Sequence, residues 1–176
     1  VDLNGIGMML QEGRLDAARQ ALDQLLRRNP MNAIAQRLMG DVQRALGENE
    51  PALEAYQRSL SIQKSPAAIK GLLAVAEDLQ RFQVVEQCLR ALIRIEPGDG
   101  YYYFRLALIL KANALTAEEA TRCLQQCINM GYQVKESYYH IGCIAQVSLN
   151  KRDLARNAFL QALEIDSSYV DARLGD

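Results

Sequence analysis

The chain has 176 residues, 49% of them hydrophobic, which is enough to bury a substantial core. Its 20 basic and 21 acidic residues are mixed along the chain and leave a formal net charge of −1, without the basic excess or stripe of a nucleic-acid binder. Tryptophan is absent and proline occurs only 4 times, a composition that favours helices.

The first unit, residues 1–32, opens on a weak helix from Leu3 to Glu12. Gly5 and Gly7 each cost a helix interior about 0.8–1 kcal/mol relative to Ala, so fraying is expected there. A second helix follows from Ala17 to Arg28, with Asp16 as its expected N-cap and Pro30 closing it. Ala18, Leu22, Leu25 and Leu26 form its apolar stripe. The second unit, residues 33–65, turns at Gly47. Asn49 is the expected cap of its second helix and Pro51 falls in the first turn, where a missing N–H costs nothing. Gly40 sits inside the first helix as a site of close helix approach, with Ala52 on the partner helix. Ala52, Tyr56, Ser59 and Leu60 share one face.

The third unit, residues 66–99, begins at Pro66 and buries Leu72, Leu73, Ala76 and Leu79. Its turn, Gln80-Arg81-Phe82-Gln83, lacks glycine, and Phe82 is expected to plug the space between the helices. Val85, Leu89, Leu92 and Ile93 line the second helix. The fourth unit, residues 100–131, carries Tyr103, Leu106, Ala107 and Leu110 as its stripe. Thr116-Ala117-Glu118-Glu119 reads as a capping box, and Gly131 as a left-handed cap. In the fifth, residues 132–167, Tyr138, Ile141, Gly142 and Ala145 face Ala155, Phe159, Ala162 and Leu163, with Asp153 as a cap. Residues 168–176 read as the start of a sixth unit.

The closing positions Pro30, Lys64, Pro97, Gly131 and Ser167 are spaced 34, 33, 34 and 36 residues apart, the period of a helical-hairpin repeat array. With Gly13, Ala18, Leu22 and Pro30 in the first unit, Met39-Gly40, Ala52, Tyr56 and Ser59 in the second, and Ile141-Gly142, Ala155, Phe159 and Ala162 in the fifth, the chain resembles the tetratricopeptide-repeat (TPR) family over nearly its whole length. It departs in lacking Trp at the fourth position of every unit, in the glycine-free third turn, and in one extra residue near the fourth and fifth turns. The resemblance implies an all-α fold, a right-handed superhelical solenoid of about five helix-turn-helix repeats in a single domain. Each hairpin buries its apolar face against the next.

No phosphate loop, nucleophile elbow or HExxH motif is present. The sole histidine, His140, reads as a surface or groove residue, with Cys143 within reach. Cys88, Cys123, Cys127 and Cys143 include no CxxC pair and read as small side chains at helix contacts, with a lean towards a reducing, cytoplasmic compartment. A non-enzyme without metal or cofactor is therefore expected. Val1-Asp2-Leu3-Asn4 shows no secretory signal. The longest apolar-rich run, Tyr101 to Leu110, is interrupted by Arg105 and far short of the ~20 residues of a membrane helix. A chain that starts without Met and stops in an opening helical turn is expected to be a piece of a longer protein.

By the resemblance, the first helices of successive units line a concave groove. The inward positions would be Arg37, Asp41 and Arg44, then Lys70, Ala74 and Glu77, then Tyr101, Phe104, Leu108 and Lys111, then Tyr139, Cys143 and Gln146. Arg37 with Asp41 and Lys70 with Ala74 do not reproduce the Lys/Asn pair with which some relatives clamp a C-terminal carboxylate. The expected partner is a protein or an extended peptide with acidic and apolar residues, held as part of a multiprotein assembly. Self-association, or service as the regulatory or targeting arm of an enzyme, are the alternatives.

Overall fold

The computed structural model describes residues 2–166. Among the described residues ten α-helices run in chain order: α1 Leu3–Gln11, α2 Leu15–Arg28, α3 Ala33–Ala45, α4 Asn49–Ile62, α5 Pro66–Asp78, α6 Phe82–Ile95, α7 Gly100–Leu110, α8 Ala117–Asn129, α9 Val134–Val147 and α10 Arg152–Ile165. A 3-10 turn, Ala114–Thr116, precedes α8. The fold is all-α, with no strand among the described residues. It divides into two compact units, Val1–Leu92 and Ile93–Asp176. The sixth repeat expected at residues 168–176 lies outside the described residues.

In the first unit α1 packs on α2, and α3 packs on α2, α4 and α5. One core cluster joins Ile6, Ala18, Leu22, Ala35, Leu38 and Val42. Tyr56, fully buried on α4, fills the space between α3 and α5. A β-carbon on Gly40 would lie 2.8 Å from Tyr56 Cε1, and one on Gly71 would lie 2.5 Å from Cζ. The close approach expected at Gly40 is therefore made by this ring. In the second unit α7 pairs with α8, α8 packs on α9, and α9 pairs with α10. The same device recurs there: Tyr132 lies against Gly100, and Phe159 against Gly142.

The turns explain where the expected caps fail. At α1, α3, α5 and α8, the residue two past the last helical one has positive φ: Gly13 (+71°), Gly47 (+78°), Gln80 (+55°) and Gly131 (+69°). The following N–H then reaches back across the last turn, Arg14 to Met9 O, Glu48 to Gln43 O, Arg81 to Ala76 O and Tyr132 to Cys127 O. This is the Schellman closure. Arg14 and Glu48 finish one helix and are already the N-cap of the next. No position is left for a separate capping side chain. Asp16 and Asn49 are thus first-turn residues rather than caps, as is Asp153 behind Lys151. The two aspartates still oppose the positive helix end favourably.

Four further expectations are corrected. The first helix is regular rather than frayed: Asp2 accepts from the Gly5 N–H at 2.8 Å, and Ile6 is fully buried beneath it. Packing of one apolar face offsets the two glycines. Phe82 plugs nothing; it is 60% exposed. Gln80 takes the left-handed conformation in place of the missing glycine, which makes Phe82 the first residue of α6 and leaves the interior to Val85, Cys88, Leu89 and Leu92. The capping box does not form, because Thr116 Oγ donates to Leu110 O (2.6 Å) and Asn113 O (3.1 Å) across the 3-10 turn. On α7 the buried tyrosine is Tyr102 rather than Tyr103, its hydroxyl donating to Glu96 at 3.0 Å.

Candidate partner-binding surfaces

The residues expected to face a partner fall in two sets, one in each compact unit. In the first unit, Arg37 and Asp41 are one turn apart on α3 and pair at 2.6 Å. Asp41 also accepts from the Tyr56 hydroxyl at 2.6 Å. Burial, then the bond to Asp41, raises the Tyr56 pKa, so this phenol keeps its proton. Asp41 is therefore tied into the packing of α3 against α4. Arg44, at the end of α3, and Lys70, on α5, are exposed, and Glu77 is half-buried. Beside Arg37 a cleft of about 200 Å³ is lined by Ala33, Ile34, Ser59, Gln63 and Ser65. Two of these lining residues are joined, Ser59 Oγ donating to Ala33 O at 2.8 Å.

In the second unit the set comes from α7 and α9. The i, i+3, i+7, i+10 spacing puts Tyr101, Phe104, Leu108 and Lys111 along one side of α7 and its C-cap. Phe104 meets Tyr132 edge-on at 6.1 Å between centroids and His140 at 5.9 Å. Tyr139 meets His140 at 5.5 Å and, on its other side, the core ring of Phe159 at 5.9 Å. Lys111 Nζ lies 3.3 Å from His140 Nδ1. Tyr101 is 38% exposed and stacks edge-on against Tyr102. Cys143 is half-buried on α9 and Gln146 is exposed near its end.

His140 is the residue that sequence reading undervalued. It is the centre of this cluster, touching Phe104, Tyr139 and Lys111. Burial first, and Lys111 second, lower its pKa to about 4, with Glu136 opposing them. An ammonium only donates, so Nδ1 is the acceptor and the ring proton sits on Nε2. The signal available in the sequence was its uniqueness among apolar neighbours, Tyr138 to Ile141. The remaining ionisable candidates are structural. Cys88, Cys123 and Cys127 are buried and outside any disulfide, and burial pushes the Cys88 and Cys127 thiols up to about 11. Among the described residues no three His, Cys, Asp or Glu side chains converge as a metal site, and no helix is long and apolar enough to cross a membrane.

Comparison with known proteins agrees with this architecture. Family models described as tetratricopeptide repeat match residues 10–69 and 135–169. The chain belongs to the tetratricopeptide-repeat family. Among solved structures, YrrB, described as a TPR protein with an unusual peptide-binding site, superposes with a TM-score of 0.77 at 15% identity, covering 95% of this chain and 86% of that one. MamA from Desulfovibrio magneticus RS-1 gives a TM-score of 0.65 at 18% identity, covering 96% and 94%. Over 78 residues, or 44% of its length, this TPR chain is 35% identical to the human protein O-mannosyl-transferase TMTC3. It spans only 8% of that protein's length, and the same holds for the mouse counterpart.

Proposed function

We propose that this TPR chain is a non-catalytic protein-interaction scaffold that binds an extended acidic and apolar peptide of a partner protein within a multiprotein assembly. The observation that carries the reading is the α7/α9 cluster, where the Lys111 ammonium stands beside the half-buried rings of Phe104, His140 and Tyr139. Rigid aromatic surface next to a cation suits a peptide with an apolar anchor and a neighbouring carboxylate. Arg37, Asp41, Arg44, Lys70 and Glu77 would offer a more polar surface of their own in the first unit. The peptide-binding site reported for YrrB supports this class of partner for the fold.

A peptide array of acidic–apolar, basic–apolar and neutral sequences tests the reading. Acidic–apolar sequences should bind the parent and lose at least tenfold in affinity with Lys111→Glu, whose helical circular dichroism should be unchanged. Equal retention of all three classes, or binding insensitive to Lys111→Glu, refutes it. Tyr139 is a poor choice for this test, because it also packs on Phe159 and its loss would loosen α9 against α10. A second reading, in which these repeats serve as the arm of a larger enzyme, is favoured by the match to part of an O-mannosyl-transferase. The size of the natural polypeptide on an immunoblot would separate the two.

A further inference from the structure

We propose that Lys111 and His140 together form a carboxylate subsite, and that filling it makes His140 take up a proton. This deepens the peptide-binding reading and rests on it for the identity of the ligand. The geometry comes first. Lys111 ends α7, His140 lies at the middle of α9, and the 3.3 Å contact between them is made across the two helices. Phe104 and Tyr139 flank the imidazole, so the ring cannot swing far from the ammonium. The charged groups that face the ring are Lys111 from α7 and Glu136, one turn earlier on α9. Glu136 is itself 3.8 Å from Lys135, which pairs with Asp166 at 3.0 Å.

A carboxylate that reaches the Lys111 ammonium arrives next to Nδ1. An anionic oxygen is the stronger acceptor, so it replaces the imidazole as the lysine's partner. Nδ1 is then left beside a negative charge, while the ammonium that had opposed its protonation is neutralised. Nδ1 binds one proton from solvent and keeps it, and the resulting N–H donates a hydrogen bond to the second carboxylate oxygen. The subsite carries +1 before binding and +1 after, since ligand charge and proton cancel. In the free protein burial and Lys111 hold the ring neutral, with a pKa of about 4. Binding raises that pKa, so affinity increases as pH falls towards the free value, by at most about tenfold per pH unit. Near pH 4 the ligand's own carboxyl begins to protonate and the gain ends.

The chain has one histidine, so a single imidazole signal reports the site in nuclear magnetic resonance. The full chain is titrated from pH 7.5 downwards in about 0.2 M acetate, and again in chloride at matched ionic strength so that screening is equal. The expected result is a higher His140 pKa in acetate. With an acidic–apolar peptide from the array, affinity should be about tenfold tighter at pH 5.5 than at pH 7.5 if the bound ring returns to its ordinary pKa near 6.5. His140→Gln should keep binding through Lys111 and lose the pH dependence, and a Glu→Gln version of the peptide should show none. A His140 pKa that neither acetate nor peptide moves overturns the proposal, as does an equal pH dependence in His140→Gln. Failure of the peptides to bind while acetate still raises the pKa would instead refute the peptide reading and leave the subsite standing.

Discussion

Replacing Gly71 by alanine should destabilise the protein, although alanine is the better helix former. In an exposed helix interior the change would gain about 0.8–1 kcal/mol. At Gly71 the new methyl would lie 2.5 Å from Tyr56 Cζ and 2.9 Å from its hydroxyl oxygen. That is about 1 Å inside the ordinary contact range of 3.4–4 Å. The ring cannot yield in the opposite direction, because the backbone of Gly40 lies on it and a β-carbon there would already sit 2.8 Å from Cε1. Nor can it rotate freely, since its hydroxyl donates to Asp41 at 2.6 Å and Asp41 is held by Arg37. Overpacking of a filled core costs about 1–3 kcal/mol, and this site belongs near the upper end. The net loss should be about 1–2 kcal/mol. Urea unfolding followed by circular dichroism measures it, and a double-mutant cycle with Tyr56→Ala isolates its cause. With the ring gone, Gly71→Ala should become neutral or stabilising, even though Tyr56→Ala alone costs about 3–5 kcal/mol. A Gly71→Ala variant more stable than the parent with Tyr56 in place would refute the argument.

Three other outcomes follow from the same structure. Gly7→Ala meets nothing within 4 Å and should raise stability by about 0.8–1 kcal/mol, read most directly as slower amide exchange in α1. Gln80→Gly should stabilise the third turn, by about 0.5–1 kcal/mol in urea unfolding, because relief of the left-handed strain of about 1–2 kcal/mol exceeds the chain-entropy cost of glycine, about 0.5–1 kcal/mol. Alkylation of the native protein at pH 8 should label the half-buried Cys143 before Cys88 and Cys127, whose thiols stay protonated up to about pH 11; peptide mapping by mass spectrometry would show the order.

The helices and their period could be read from the chain because each signal is local. An apolar stripe at i, i+3, i+4 fixes which side of a helix is buried, and Pro66, Gly47, Gly131 and Pro97 punctuate the elements with little help from tertiary context. What failed was also instructive. Asp16, Asn49 and Asp153 have the chemistry of N-caps, but the turns are so short that a residue such as Arg14 or Glu48 must close one helix and open the next. Phe82, in a turn without glycine, reads as a plug between the helices. Gln80 could adopt glycine's conformation, and that choice depends on the two helices it joins rather than on its own side chain. Tyr102 and Tyr103 are neighbours about 100° apart around a helix, and the bond from Tyr102 to Glu96 decides between them.

Contacts between hairpins were the least legible, for a geometric reason. A strict period would carry Lys111 forward 34 residues to Ala145, which is fully buried. The lysine instead meets His140, more than one turn earlier on α9. Tyr56 shows the same effect, reaching Gly40 in its own hairpin and Gly71 in the next. Sequence displayed both members of each pair, and only packing told which glycine receives which ring. The proposed partner surface is made of such inter-hairpin pairs. The α7/α9 cluster combines residues 29 positions apart, and the lowered pKa of His140 comes first from its burial and second from Lys111 on the other helix. Moving either residue to a neighbouring position on its helix, with the composition of the surface kept, would therefore separate the pair on which the proposed site depends.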